Sequence, residues 1–191
     1  GTTSCVLGTS SGIHAWYSNY YIRRIRVLKT EAIYLYLRDK LPELVEDDEW
    51  DENQAILAIP QKTPSGDVIT RDESALSMLN RLKKFSVNWV RAGHVSGVNT
   101  HNVSATVNVR NDEWDEVKEW MWDNREYYNG ISVLPFDNGV YTQAPFEEIN
   151  EEQYNDMFAK LKQIDLTEVL EYNDNTNLQG EVACAGGSCE I

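Results

Sequence analysis

Long apolar runs, basic residues and cysteines are all scarce in this chain. No apolar stretch approaches the roughly 20 residues needed to cross a bilayer, and no basic segment followed by an apolar one opens the sequence. The expectation is a cytoplasmic protein with no membrane partner. Lys and Arg total 17 against 31 Asp and Glu, a net charge of −14. Affinity for a phosphate backbone is built on clustered cations, so the charge argues against a general binder of nucleic-acid polymers. Small anions remain within reach, because backbone N–H groups, hydroxyls and helix N-termini act locally. The cysteines number three, an odd count with two crowded at one end, which is no secreted disulfide framework. No Cys-x-x-Cys stands at a helix N-terminus to stabilise a thiolate, which argues against a small redox protein acting alone. Cys184 and Cys189 have no second pair, and His14, His94 and His101 are remote in sequence, so no metal site is expected.

What is present is a globular composition. The 191 residues are 41% hydrophobic with six Trp and ten Tyr, while a mean hydropathy of −0.51 marks a polar surface. That length suits one compact body plus a tail. Tyr21 to Leu28 reads as a strand and Glu31 to Leu41 as a helix that stops before Pro42. Glu46 to Glu52 reads as a solvated acidic loop, and Ala55 to Ile59 as a buried strand stopped by Pro60. Thr70-Arg71-Asp72-Glu73 has the form of a capping box. A helix of about twenty residues should follow it, with Ala75, Met78, Leu79, Leu82, Phe85 and Trp89 on one stripe and Gly93 at its end. Val103 to Val109 alternates as a half-buried strand does. A helix through Trp114, Val117, Met121 and Tyr128 comes next, then a short strand over Ile131 to Leu134. Asn150, with Gln153 three residues on, caps a last helix carrying Tyr154, Phe158, Leu161 and Ile164 inward. Strands alternating with helices make the fold class α/β. From about Tyr172 the chain has little to bury, so residues 172–191 read as a flexible tail beyond a body of residues 1–171.

Several clusters invite a chemical reading, each beside a plainer one. Gly1-Thr2-Thr3-Ser4 offers hydroxyls and free amides in a tight turn, a surface that grips phosphate; taken alone, such a cluster is more often a plain surface turn. The arginines of Tyr21-Ile22-Arg23-Arg24-Ile25-Arg26 can face an anion, but strand arginines usually pair with carboxylates, which abound here. Thr100-His101-Asn102-Val103-Ser104-Ala105-Thr106 places polar groups at a strand start, as ligand or as satisfied turn. Cys5 reads as a small buried residue beside the first loop. At the far end Gly186 and Gly187 let the Cys184 and Cys189 thiols meet without disturbing a core, which suits a dithiol carrier.

Together these pieces resemble the adenosylcobalamin-dependent (class II) ribonucleotide reductases, and particularly their ribonucleoside-triphosphate reductase branch. The resemblance rests on Gly1-Thr2-Thr3-Ser4, Gly8-Thr9-Ser10-Ser11-Gly12-Ile13-His14, Tyr21-Ile22-Arg23-Arg24-Ile25, Thr100 to Thr106 and the Cys184/Cys189 pair, in the family's order. It implies that the chain is only the C-terminal portion of such an enzyme. The fold would be the closing section of a ten-stranded α/β barrel with added C-terminal helices and a flexible redox tail. It further implies that Thr2, Thr3 and Ser4 hold substrate phosphates, and that Cys184 and Cys189 re-reduce an active-site disulfide and are recharged by a thioredoxin-type reductant. The family converts ribonucleotides to deoxyribonucleotides with adenosylcobalamin and a protein thiyl radical. Its radical cysteine lies upstream of the phosphate loop, so the chain would need the N-terminal portion as its partner to turn over. The alternative expectation is a non-enzymatic acidic relative that binds a nucleotide or a partner.

Overall fold

The computed structural model describes Ser4 and residues 7–64, 67–136, 142–161 and 164–171. Cys5, Cys184 and Cys189, with Thr2 and Thr3, lie outside the described residues. The body divides into two compact units instead of the one that the length suggests. The first takes the residues up to Trp16 and those from Asp67 to Phe136; the second takes Tyr17 to Pro64 and Thr142 to Glu171.

The second unit is built on an antiparallel sheet. Strands β1 (Tyr20–Leu28) and β3 (Gln54–Lys62) pair along their full length, from Tyr20 opposite Lys62 to Leu28 opposite Gln54. Short strands β2 (Val45–Asp47) and β6 (Phe146–Glu148) complete the order β2-β3-β1-β6. Contrary to the sequence reading, β3 runs through Pro60, which sits opposite Ile22. Strand β2 pairs only with Ala55 to Leu57, so the side of β3 away from β1 has no ladder at Pro60, and a missing N–H costs nothing there. Between β1 and β2 lie helix α1 (Ala32–Lys40) and a turn of 3-10 helix (Pro42–Leu44). Helix α4 (Glu151–Leu161) closes the unit. Its start is the expected reciprocal cap: Gln153 N–H donates to Asn150 Oδ1 at 2.8 Å and Asn150 N–H to Gln153 Oε1 at 3.0 Å. Of its inward stripe Tyr154 is buried, stacked on Phe158, which is partly open to solvent.

The acidic run is not simply a solvated loop. Val45–Asp47 is a sheet strand, and Asp48 is buried. Its Oδ2 accepts from Arg26 Nε at 2.8 Å and its Oδ1 from the N–H groups of Trp50 at 2.8 Å and Asp51 at 3.2 Å. Burial works against that charge, but the three donors outweigh it and hold the carboxyl below its ordinary range. Gln143, at φ +56°, fastens the same turn from outside by donating to Asp47 O at 2.7 Å and accepting from Glu49 N–H at 3.1 Å.

The first unit is a β-α-β motif with one more helix. Helix α2 (Ala75–Phe85) continues through six residues of wider π-type turns (Ser86–Arg91). Strand β4 (Thr106–Val109), helix α3 (Trp114–Asp123) and strand β5 (Ser132–Pro135) follow, with β4 and β5 parallel and Val107 opposite Val133. The core lies where α2 and α3 cover one sheet face: Leu79, Leu82, Val107, Val109 and Val117 are fully enclosed, each worth about 1.5–3 kcal/mol of apolar burial. Ala75, Met78, Leu79 and Leu82 form the buried stripe as expected, but Phe85 and Trp89 do not join it. The capping residue also differs. Ser74 accepts from Ser77 N–H at 3.2 Å, while Glu73 is drawn instead to Arg81 and to the Ser77 hydroxyl at 2.8 Å. Gly93 N–H bonds Trp89 O at 2.9 Å and ends the helical run where anticipated.

Replacing Asp48 by Ala leaves the Arg26 guanidinium and two N–H groups without their acceptor, and is expected to lower stability by about 2–4 kcal/mol. Urea unfolding would measure it. The folded pKa is depressed, so the Asp48 contribution is complete above the unfolded value near 3.8 and is lost as pH falls further; the Ala variant should lack that acid-side loss.

Candidate functional site

The segment after the candidate phosphate loop is tied down at several points of the first unit. Thr9 N–H donates to Ser4 O at 2.9 Å. Gly8 and Gly12 adopt φ of +63° and +58°, left-handed turns that only glycine enters cheaply. His14 Nδ1 lies 2.7 Å from Ser11 O, and its Nε2 accepts from Thr106 N–H at 3.0 Å. Those two partners fix the neutral tautomer protonated on Nδ1, since a backbone N–H cannot face an N–H. Burial is the main cause of a pKa below the usual value; the bond to Ser11 works the other way. Ile13 O accepts from Arg81 Nη1 at 2.9 Å, and Trp16 exchanges backbone bonds with Ile69 and Arg71 at 2.9 and 2.8 Å. Loop, helix α2 and the start of β4 are thereby fastened together.

The Thr100–Thr106 cluster divides in two. Thr106 meets the loop through His14. Asn102 instead brackets the backbone of Gly130, donating to its carbonyl at 3.0 Å and accepting from its N–H at 3.4 Å, which sets the approach to β5 beside that to β4. Asn102 is thus satisfied by backbone, but by that of a residue 28 positions on and not by the local turn expected. In the second unit the strand arginines follow their plainer reading. Arg24 pairs with Glu46 at 3.2 Å and Glu147 at 2.6 Å, and Arg26 with Asp48 at 2.8 Å. Burial disfavours the Arg24 charge, yet Glu147 and Glu46 outweigh it and hold the guanidinium above its ordinary pKa. Arg23 stands over the Phe146 ring at 5.7 Å.

Sequence reasoning missed a second clamp, at the opposite end of β4. Glu113 Oε2 accepts from Arg110 N–H at 2.9 Å and Oε1 from Ala75 N–H at 3.0 Å, so a residue at the start of α3 caps helix α2. The Arg110 guanidinium donates to Asp72 O at 3.1 Å and Glu73 O at 3.2 Å and stands 4.6 Å from the Phe136 ring centre. The available signal was Arg110 and Glu113 three residues apart between strand and helix. Among the described residues no cluster of three or more His, Cys, Asp or Glu is arranged to hold a metal ion, and no helix is long and apolar enough to cross a membrane.

If His14 is locked neutral, its NMR titration midpoint should fall below the ordinary 6.5. Because the folded pKa is lowered, the stability that His14 confers is complete above 6.5 and drains away as pH falls through that value toward the folded pKa. A His14→Phe variant should lose this part of the pH dependence; a midpoint at or above 6.5 would contradict the locked tautomer.

No protein-family model matches the chain. The chain aligns over its whole length with the adenosylcobalamin-dependent ribonucleoside-triphosphate reductase of Lactobacillus acidophilus, at 27% identity, and covers 25% of that protein. Against the corresponding protein of Lactobacillus helveticus the figures are again 27% and 25%. Against the probable adenosylcobalamin-dependent ribonucleoside-triphosphate reductase of Dictyostelium discoideum they are 29% and 24%. The chain thus spans about a quarter of the length of the curated relatives it matches. Its fold resembles part of the crystal structure of a B12-dependent (class II) ribonucleotide reductase, with a TM-score of 0.70 over 88% of this chain and 23% of that one, at 22% identity. The chain is therefore a mixed α/β relative, from end to end, of one quarter of the adenosylcobalamin-dependent ribonucleoside-triphosphate reductases.

Proposed function

We propose that the chain is the C-terminal part of a ribonucleotide reductase and works in the conversion of ribonucleotides to deoxyribonucleotides together with an N-terminal portion. The observation that carries this reading is the alignment of every part of the chain with one quarter of such enzymes. In this reading Thr2, Thr3 and Ser4 bind the substrate phosphates. The fastening of the following segment through His14, Arg81 and Trp16 supports it, because a loop that positions a substrate needs a rigid base. Cys184 and Cys189 carry electrons to an active-site disulfide and are themselves reduced by a thioredoxin-type protein. Each cycle moves two electrons: the tail dithiol becomes a disulfide while the active-site disulfide becomes two thiols. The thiyl-radical step falls to the N-terminal portion.

Adenosylcobalamin, when bound, supplies the means of generating that radical. Of the histidines, His14 has both ring nitrogens committed to backbone groups, and His94 Nε2 is bonded to Gly97 O at 2.8 Å. In the same reading β4 and β5 are the last strands of the ten-stranded barrel. Two parallel strands with no further ladder among the described residues support this, because parallel sheets occur with more strands and with both faces covered.

Mixing the chain with the separately produced N-terminal portion, adenosylcobalamin, a reductant and a ribonucleotide should yield deoxyribonucleotide. Thr3→Ala should raise KM about tenfold or more with a smaller effect on kcat, a hydrogen bond to a charged group being worth about 1.5–3 kcal/mol. Cys184→Ser should abolish turnover driven by a thioredoxin system and retain turnover driven by dithiothreitol. Full thioredoxin-driven activity in that variant would refute the shuttle role, and no product under any reductant would refute the reductase reading.

A further inference from the structure

Charge is distributed unevenly along the chain. From Ser74 to Asn111 there is no Asp or Glu, while Arg81, Lys83, Lys84, Arg91 and Arg110 are all cationic; every one of the 31 acidic residues lies elsewhere. This stretch holds helix α2, the arm that follows it and strand β4. It also holds a run of uncovered apolar side chains. The buried positions of α2 end at Ser86. Beyond it Trp89 is 77% exposed, Val95 93% and Val98 97%.

The helix tip that carries Trp89 is held in place. Lys83 Nζ and the Arg91 guanidinium each stand 4.5 Å from the centre of the Tyr127 ring, and Arg91 also reaches the carbonyl of Glu126. The arm turns at Gly97, φ +88°, where His94 Nε2 meets the Gly97 carbonyl. A large apolar side chain fixed in solvent gains nothing from folding of this unit. Its hydrophobic free energy is recovered only against another surface, and exposed apolar groups rimmed by polar ones mark such surfaces.

Three occupants can be weighed. A second copy docked about a two-fold axis, the commonest arrangement of a homo-oligomer, would bring one acid-free basic stretch against another. A nucleic-acid polymer would meet the field of a chain with net charge −14. The third is the remaining part of the reductase, which in the relatives makes up about three-quarters of the length. The arm leads directly into β4, whose outward Asn108 lies opposite the exposed Leu134 of β5, so arm and uncovered sheet face adjoin along the chain.

We propose that the tip of α2 and the arm after it, through Trp89, Val95 and Val98 with Lys84 at the rim, form a docking surface for the N-terminal portion of the reductase. That portion presents an apolar recess for the Trp89 indole, bordered by carboxylates. The proposal rests on the reductase reading above and assigns the partner's contact to residues outside the substrate loop and the tail.

The test uses the full chain labelled with 5-fluorotryptophan, the Trp89 signal being assigned by its loss in Trp89→Phe. Adding the N-terminal portion should shift or broaden that signal. Trp89→Ser and Val98→Asp should each weaken association about tenfold or more, as central aromatic and apolar anchors do, and Lys84→Glu should slow association in low salt. All three positions are solvent-exposed, and unchanged circular dichroism would verify that folding is intact. Association that leaves the Trp89 signal unmoved, or that Trp89→Ser does not weaken, overturns this proposal and leaves the reductase reading standing. No association at all by ultracentrifugation overturns both. A Trp89 shift on adding oligothymidylate alone, or on raising the concentration of the chain alone, reassigns the surface to nucleic acid or self-association and overturns the proposal.

Discussion

The first unit depends on the parallel pairing of β4 with β5. Parallel neighbours cannot be joined by a tight turn, so residues 110–131 must travel back along the sheet, and α3 is the form that this return takes. The crossover places Val117 over Val107 and Val109, and α2 completes the cover through Leu79 and Leu82. At one end of β4 Glu113 joins α2, α3 and the strand exit with a single carboxylate. At the other end Asn102 and His14 bond to backbone around the strand's entry. Each clamp satisfies a backbone donor or acceptor that the short strands leave unpaired, which is why the side chains that bond to backbone here sit at the two ends of β4.

His14 shows how such a clamp serves a site without belonging to its chemistry. Both nitrogens are spent on backbone groups, so the ring is neither a general base nor a metal ligand. What it contributes is rigidity, and that contribution requires the neutral form. A neutral imidazole between a carbonyl and an N–H is a two-sided adaptor; the imidazolium would turn one attraction into a repulsion.

Much of the fold was legible because apolar period and capping chemistry agree. Alternation from Val103 to Val109, the stripe of Ala75, Met78, Leu79 and Leu82, and the Asn150/Gln153 box each name one element, and the structure has each of them, the strand over the shorter span Thr106–Val109. The misreadings share a cause, which is that a local pattern was satisfied by a distant partner. Thr70-Arg71-Asp72-Glu73 has the letters of a capping box, yet Arg81 claims Glu73 and Ser74 becomes the cap. Pro60 looks like a strand end, but whether a proline interrupts a ladder depends on which neighbour lies beside it. The acidic run looks solvated because nothing nearby in sequence reveals that Arg26 needs Asp48. Of the candidate site, the loop segment and Thr106 were legible as polar clusters, whereas the roles of Arg81, Arg110 and Glu113 exist only through contacts between elements.

Charge placement separates what these residues do inside the chain from what they offer outside it. Arg24, Arg26 and Lys29 are each matched to a carboxylate in the second unit, so the acid surplus there leaves cations spoken for. In the acid-free stretch, Arg81 and Arg110 are matched by Glu73 and Glu113 just beyond its two ends, and Lys83 by the Asn124 side chain at 2.6 Å and the Tyr127 ring. Asn124 and the Tyr127 ring hold Lys83 without cancelling its charge, and Arg91 is held by that same ring and a backbone carbonyl, so with Lys84 the helix tip keeps a positive field. Charge at this surface can select the sign of a partner and speed its arrival, but the binding free energy must come from covering Trp89, Val95 and Val98. Electrostatics and apolar area thus have separate signatures: salt acts on the association rate through Lys84, whereas truncating Trp89 acts on the dissociation rate.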